Sequence, residues 1–331
     1  MVIKKKIKLS ALICTYNSPK LIKRCVNSLL VQKRNYEIEV LLIDGGSNNE
    51  TLKLLNEFEA KYPFIKIVKN RNKLPEGYGK GKWLGWKKAQ GEFVLIIDQD
   101  NELKSSRVFE RFINIFSKEK EIFGIACKLY LEKKDTLTNQ YIALQGTDPF
   151  LAYRSIDGII RLNNLDIIKK EDYGILKIKK ENLIITGGNC FIYNKQILDS
   201  LGGYIQDTEN IAKLVNSGFD KFAIPNEETT HHSAIEGFWE FLKKKKKWGG
   251  TFDISEKKSF SYFPKNKLQR KEFIKNLFEI SFIFPNLITS IKMFYKTRQF
   301  AWLMHAPLTF ITEFIYGYKV FESIIVSKFH R

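Results

Sequence analysis

The stretch GEFVLIIDQDNEL, residues 91–103, runs five apolar residues straight into two carboxylates, Asp98 and Asp100, with one residue between them. Like charges at the end of a buried segment need a positive partner. One Asp would suffice to cap a helix beginning after Ser105. Two carboxylates at i and i+2 in a turn offer more: oxygen ligands for Mg2+ or Mn2+, with open positions left for substrate phosphates.

The surrounding elements place such a turn where ligands bind. Residues 7–14, 39–43, 65–68 and 93–97 are short apolar runs, and 19–31, 50–61 and 79–89 between them have helical spacing. Continuously apolar strands alternating with helices predict an α/β fold with a Rossmann-like, mostly parallel sheet covered by helices on both faces. Ligands of such sheets bind at the carboxyl ends of the strands. Thr15-Tyr16-Asn17, Asp44-Gly45-Gly46-Ser47 and Asp98-Gln99-Asp100 all fall at such ends. Farther along, 108–116 reads as a helix, 122–131 as a strand, and 132–182 as a loop-rich stretch. A strand, a Gly-Gly turn, a second strand and a short helix follow up to Gly202-Gly203, then a helix over 207–217 and a strand over 219–224.

The runs ALICTYNSPKLIKRCVNSLLVQ, EVLLIDGGSNNET, GYGKGKWLGWKKAQGE, GEFVLIIDQDNEL, ITGGNCFIYNKQILDSLGGY and QDTENIAKLVNSGF occur in that order over residues 7–235. Together they resemble the family 2 glycosyltransferases, inverting enzymes with the GT-A fold. The resemblance implies a nucleotide pocket lined by Thr15, Tyr16 and Asn17, with Asp44, Gly45 and Ser47 near the base or ribose. It gives Lys82 a diphosphate contact, although many members carry Arg there and Asn where this chain has Trp83. Asp98 would bond the ribose or donor sugar. Asp100 would ligate Mn2+ or Mg2+ bridging the two phosphates, with His231 or His232 near the metal or diphosphate. Asp207 falls on the position of the base that takes the acceptor's proton, and a helix N-terminus favours its ionised form. Gln206 and Glu209 stand where Glu and Asp are common, and Gly187, Gly188 and Asn189 would shape the donor-sugar and acceptor pocket. The implied reaction moves a sugar from a nucleotide-diphosphate donor to a lipid-linked acceptor, a polyprenyl phosphate or growing glycan. A soluble or protein-linked saccharide is the alternative acceptor, and a non-catalytic nucleotide- or glycan-binding module the alternative class.

The expected organisation is a catalytic domain over 1–237, with a nucleotide half to about 103 and an acceptor half over 104–237, then a helical extension over 238–331. The 331 residues carry a net charge of +19, which suits phosphate-rich ligands or an anionic membrane surface. No nucleic-acid-binding pattern is present, so nucleic acid is not an expected partner. The four cysteines, Cys14, Cys25, Cys127 and Cys190, lack metal or disulfide spacing and fit a reducing compartment. In FWEFLKKKKKWGG, aromatics flank Lys243–Lys247, and two long apolar runs beyond are broken by Glu279, Pro285, His305, Pro307, Glu313, Lys319 and Glu322. These charges disfavour spanning and fit helices lying in the interface at the cytoplasmic face of the membrane. The other reading packs them on the catalytic domain or into a homodimer.

Overall fold

The computed structural model describes residues 7–33, 36–70, 80–146, 167–188, 190–232, 237–249 and 267–329. Two compact units divide the chain: 1–130 with 164–234, and 131–163 with 235–331.

The first unit begins as the apolar runs dictate. Its elements are β1 (Ile7–Thr15), α1 (Pro19–Leu30), β2 (Glu37–Asp44), α2 (Asn49–Lys61), β3 (Ile65–Lys69), α3 (Lys80–Lys88) and β4 (Phe93–Ile96). Next come β5 (Asn101–Leu103), α4 (Val108–Lys118) and β6 (Gly124–Ala126); α5 (Leu137–Gln145) belongs to the second unit. The first unit resumes with β7 (Ile167–Lys169), β8 (Tyr173–Lys177), β9 (Phe191–Asn194), α6 (Lys195–Ser200), α7 (Asp207–Asn216), β10 (Lys221–Pro225) and β11 (Thr230–His232). Among the described residues the main sheet has the order β3-β2-β1-β4-β9-β6-β10-β8-β7.

The sheet is mixed where a mostly parallel one was expected. β3, β2, β1 and β4 are parallel, as crossover helices require, and so are β6 and β10. β9 runs antiparallel between β4 and β6, and β7 and β8 form a hairpin on the edge. Apolar runs report burial, not direction, so β9 was unreadable in this respect. The expected strand over 122–131 shrinks to Gly124–Ala126, and residues 183–186 form no strand.

The core fixes the strand ends. Ile22, Cys25, Val26 and Leu29 of α1 and Phe109, Phe112 and Ile115 of α4 pack with Leu9, Ala11, Ile13, Leu42 and Leu95 of the sheet. Phe93 stacks on Phe116 at 4.0 Å. On the opposite face α3 lies close because Gly85 has no side chain: a Cβ there would stand 2.8 Å from Ile43 Cδ1.

The second unit holds α5, α8 (Phe238–Gly249), α9 (Lys267–Ser281), α10 (Ile283–Thr297), a 3-10 turn (Phe300–Met304) and α11 (His305–Phe329). Residues 131–146, assigned from sequence to the acceptor half, thus belong with the C-terminal helices. The rings of Tyr141 of α5 and Trp302 meet at 90°, with centroids 5.8 Å apart. The lysine run is not wholly surface: Lys245 is buried, its ammonium 5.3 Å from the Phe241 ring and 5.8 Å from the Tyr316 ring.

Candidate active site

The parallel strands end in a set of interlocked turns. Asp44 is buried at the end of β2, and its carboxylate accepts from the Gly46 N–H at 3.2 Å and the Ser47 N–H at 3.1 Å. Gly46 takes φ 89°, which favours glycine. Ser47 Oγ accepts from the Asn17 N–H at 3.1 Å, and Asn17 Oδ1 from the Asn48 N–H at 2.7 Å. Asn17, Asp44 and Ser47 therefore tie the turn after β1 to the turn after β2. Gly45 closes the seam, donating to the Thr15 carbonyl at 2.9 Å.

Thr15 joins this seam to the acidic turn. Its hydroxyl donates to Gln99 Oε1 at 2.7 Å, and Gln99 Nε2 donates to Ser18 Oγ at 3.1 Å. Sequence reasoning passed over Gln99; its place between Asp98 and Asp100 was the available signal. Tyr16 is more than half exposed, offering a free ring face at the strand ends.

Lys82 answers the charge question posed by the aspartates. Buried on α3, its ammonium stands 3.1 Å from Asp98 Oδ1, 3.4 Å from Asp207 Oδ2 and 2.9 Å from the Gly188 carbonyl oxygen. Burial pushes the Asp98 carboxyl up, Lys82 pulls it down, and Asp100 and Asp207 push it up again. One cation thus links the acidic turn to the helix start that carries Asp207.

Asp207 is the first residue of α7, and Gln206 is its N-cap, with no hydrogen bond from the Gln206 side chain to the helix. Tyr204 donates its hydroxyl to Asp207 Oδ1. Burial, then the Asp207 charge, pushes the Tyr204 phenol well above its ordinary value, so it stays a donor. Tyr204 stacks on Trp86 at 5.7 Å, and the Trp86 indole N–H donates to Asp199 Oδ1 at 2.8 Å. From sequence, Trp86 was not singled out, and Tyr204 entered only as the end of the Gly202-Gly203-Tyr204 stretch before Asp207, with no role given to it. Glu209 lies half-buried one residue beyond Thr208.

Glycine is required beside the carboxylate: a Cβ on Gly188 would lie 2.3 Å from Asp207 Oδ2. Gly187, at φ 93°, gives its carbonyl to the Tyr193 hydroxyl at 2.9 Å. Asn189 lies outside the described residues.

The expected metal ligands are not gathered as a set. Asp100 Oδ1 accepts from Asn101 Nδ2 at 2.9 Å. His231 is buried, its Nδ1 3.8 Å from Glu102 Oε1 and its ring 5.1 Å from that of Tyr130. His232 is paired with Asn101 in the β5–β11 ladder. Among the described residues no group of three or more His, Cys, Asp and Glu converges to hold a metal. The donor set fits a hard cation held by one or two carboxylates and completed by phosphate oxygens and water, the habit of Mg2+.

Comparison with known proteins bears on the family and the fold. A cholesterol galactosyltransferase of Borreliella burgdorferi is 35% identical over 105 residues, 30% of this chain and 27% of that protein. A poly(ribitol-phosphate) beta-glucosyltransferase of Bacillus spizizenii is 34% identical over 118 residues, 35% of this chain and 18% of that one. The matches thus span about a quarter or less of those relatives' own lengths. A probable glycosyltransferase of Bacillus subtilis is 21% identical over 97% of this chain and 75% of its own. Among solved structures, a mannosyltransferase from Pyrobaculum calidifontis in complex with GDP-Man and Mn2+ has a TM-score of 0.53 at 12% identity, covering 95% of this chain and 88% of that one. S. aureus TarS 1–349 in complex with UDP-GlcNAc has a TM-score of 0.51 at 18% identity, covering 94% and 89%. These likenesses establish a GT-A-like α/β fold. The glycosyl transferase family 2 pattern matches residues 10–202, more than half of the sequence, and the chain belongs to that family.

Proposed function

We propose that the protein transfers a sugar, with inversion, from a nucleoside-diphosphate donor to a lipid-linked acceptor at the cytoplasmic face of the membrane. The observation that carries the transfer reading is the buried Lys82 ammonium, held at once by Asp98, Asp207 and the Gly188 carbonyl. Ligands of such sheets bind at the strand ends, and a lysine ammonium there is a point charge for phosphate oxygens. The bound nucleotides of the two fold neighbours support that class of donor.

The turns after β1 and β2 hold the nucleoside, with the exposed Tyr16 ring as a stacking face and Asp98 reaching the ribose or sugar. When the diphosphate takes the Lys82 ammonium, Asp207 Oδ2 is released toward the acceptor. Tyr204 keeps Oδ1 in place. The acceptor oxygen attacks the anomeric carbon, the bond from that carbon to the phosphate oxygen breaks, and the nucleoside diphosphate leaves with the bonding electrons. The acceptor proton passes to Asp207 Oδ2. A phosphate acceptor arrives already charged and needs Asp207 only for alignment. Asp100 would hold Mn2+ or Mg2+, which supplies Lewis-acid stabilisation of the leaving diphosphate.

A thermal-shift series with UDP, GDP and dTDP, each with and without Mn2+, tests the donor site. At a hundredfold excess over Kd one nucleotide should stabilise by about 2.7 kcal/mol, only with metal, and Asp100→Ala should abolish the gain. Full turnover of a nucleotide sugar by Asp100→Ala, or in excess chelator, overturns the metal-dependent reading. Metal-dependent nucleotide binding with no sugar release from any donor would leave a binding module instead.

A further inference from the structure

In the helical unit polar side chains turn inward, alone on α10 and together with Leu308, Ile315 and Tyr316 on α11. The buried residues of α10 are Asn286 and Ser290, and those of the first half of α11 include His305, Thr309 and Thr312. Most of their polar atoms are used within the unit. Ser290 Oγ accepts from the Ala306 N–H at 3.3 Å and donates to the Asn286 carbonyl at 2.9 Å. His305 Nδ1 lies 2.7 Å from the Tyr141 hydroxyl, and Thr312 donates to the Leu308 carbonyl at 2.7 Å.

Large apolar residues face outward instead. Phe284, Leu287, Ile288, Ile291 and Tyr295 form an exposed stripe at helical spacing on α10, and Phe310, Phe314 and Tyr318 a second one, four residues apart, on α11. Phe284 is 74% exposed and Phe314 70%. A helix packed against a core in water shows the reverse pattern. In lipid, where apolar side chains gain nothing by burial, small and polar residues make the helix contacts.

Charge selects the occupant of this face. Residues 267–318 carry seven Lys and Arg against three Glu, and Lys292, Lys296 and Arg298 are exposed beside Tyr295. A second copy brings the same sign of charge; anionic headgroups bring the opposite one. Among the described residues no single helix is long and apolar enough to cross a bilayer, and segments Phe273–Glu279 and Ile283–Thr297 meet at a bend of 92°. We infer that α10 and the first half of α11 lie in the plane of an anionic phospholipid surface, with Phe284, Ile288 and Phe314 among the acyl chains. This inference does not require the glycosyl-transfer reading, although it supplies the surface on which a lipid-linked acceptor would be met.

Co-sedimentation of the full chain with phosphatidylcholine vesicles, with and without phosphatidylglycerol, tests it. The protein should pellet with anionic vesicles and bind neutral ones about tenfold more weakly. The double variant Phe284→Ser/Ile288→Ser should lose about tenfold in binding to anionic vesicles while keeping its Tm. Should that variant lose its thermal transition, Phe314→Ser, from the exposed stripe of α11, repeats the measurement. No pelleting of the parent protein overturns the inference. So does an unchanged vesicle affinity in a folded variant, or a vesicle-free dimer that the substitutions dissolve while pelleting persists. Donor hydrolysis is scored separately: its absence would count against the transfer reading and leave the vesicle result standing.

Discussion

The sheet unit and the outward faces of α10 and α11 handle large apolar residues in opposite ways. In the first, Phe109 and Phe112 are fully buried, and the polar groups of interest gather at one end of the strands around Lys82. On the two helices, Asn286, Ser290 and Thr309 are buried while Phe284 and Phe314 stand in the open. Burying apolar area removes it from water in the first case. The second arrangement has no such gain unless another apolar phase covers it. Composition is the same alphabet in both; the direction of burial distinguishes a core built for water from a face built to be covered.

The largest effect that can break this contrast concerns chemistry. Asp207→Asn keeps an acceptor for the Tyr204 hydroxyl yet removes the proton acceptor, and kcat with a hydroxyl acceptor should fall by about 10²–10⁴. Initial rates with saturating donor, beside an unchanged Tm, check this; an unaltered kcat would remove Asp207 from the reaction. Next in size is a matched pair of truncations. Phe112→Ala in the sheet unit should cost about 3–5 kcal/mol of unfolding free energy. Phe284→Ala in the helical unit should stay within about 0.5 kcal/mol in detergent-free buffer. Similar losses in urea titrations would erase the distinction between the two units.

Sequence carried the first half of the sheet unit well, for a physical reason. β1, β2 and β4 each carry an unbroken apolar run, β3 keeps Ile65 and Val68 inward, and helices of ordinary spacing separate them, so periodicity and burial agree. The short strands were lost: β5 and β11 have three residues each, too few for a period. α5 was lost because its buried residues include Thr138, Asn139 and Gln145, which give no apolar stripe. Of the candidate site, charges at strand ends were legible and their mutual contacts were not. Lys82 meets Asp207 across 125 positions and the Gly188 carbonyl across 106. Spacing along the chain does not encode such meetings. The stripes of α10 and α11 were visible as hydropathy, but only packing reveals which side faces outward.

A smaller effect separates strain from obstruction within the sheet unit. Gly188→Ala brings a Cβ to 2.3 Å from Asp207 Oδ2 and 2.7 Å from its Cγ, so the carboxylate must move. Displacement by about 1 Å costs on the order of 10²-fold in kcat, with about 1–3 kcal/mol lost in stability from overpacking. Gly218→Ala is the control: its φ is 93° and nothing lies within 4 Å of the added carbon. That substitution should cost about 1–2 kcal/mol through backbone strain and leave kcat unchanged. Equal loss of kcat in both variants would show that the Gly188 effect is not local to Asp207.

The smallest effect is read in acid. Glu102 accepts from Arg24 Nε at 2.8 Å and faces His231 across the β5–β11 ladder. His231 first, then Arg24, draws its carboxyl from 4.5 down to about 2 against the opposing effect of burial. A carboxyl depressed on folding stabilises the folded state above its unfolded pKa. That stability is lost as pH falls from about 4.5 towards about 2. Glu102→Gln removes the linkage. Between those limits the parent's Tm should therefore fall more steeply than the variant's, and added salt should narrow the gap because the side chain is partly exposed. Parallel Tm curves would mean that the ion pair contributes nothing measurable. His231 would then be held by its packing on Tyr130, and its proximity to Glu102 would be a consequence of strand register.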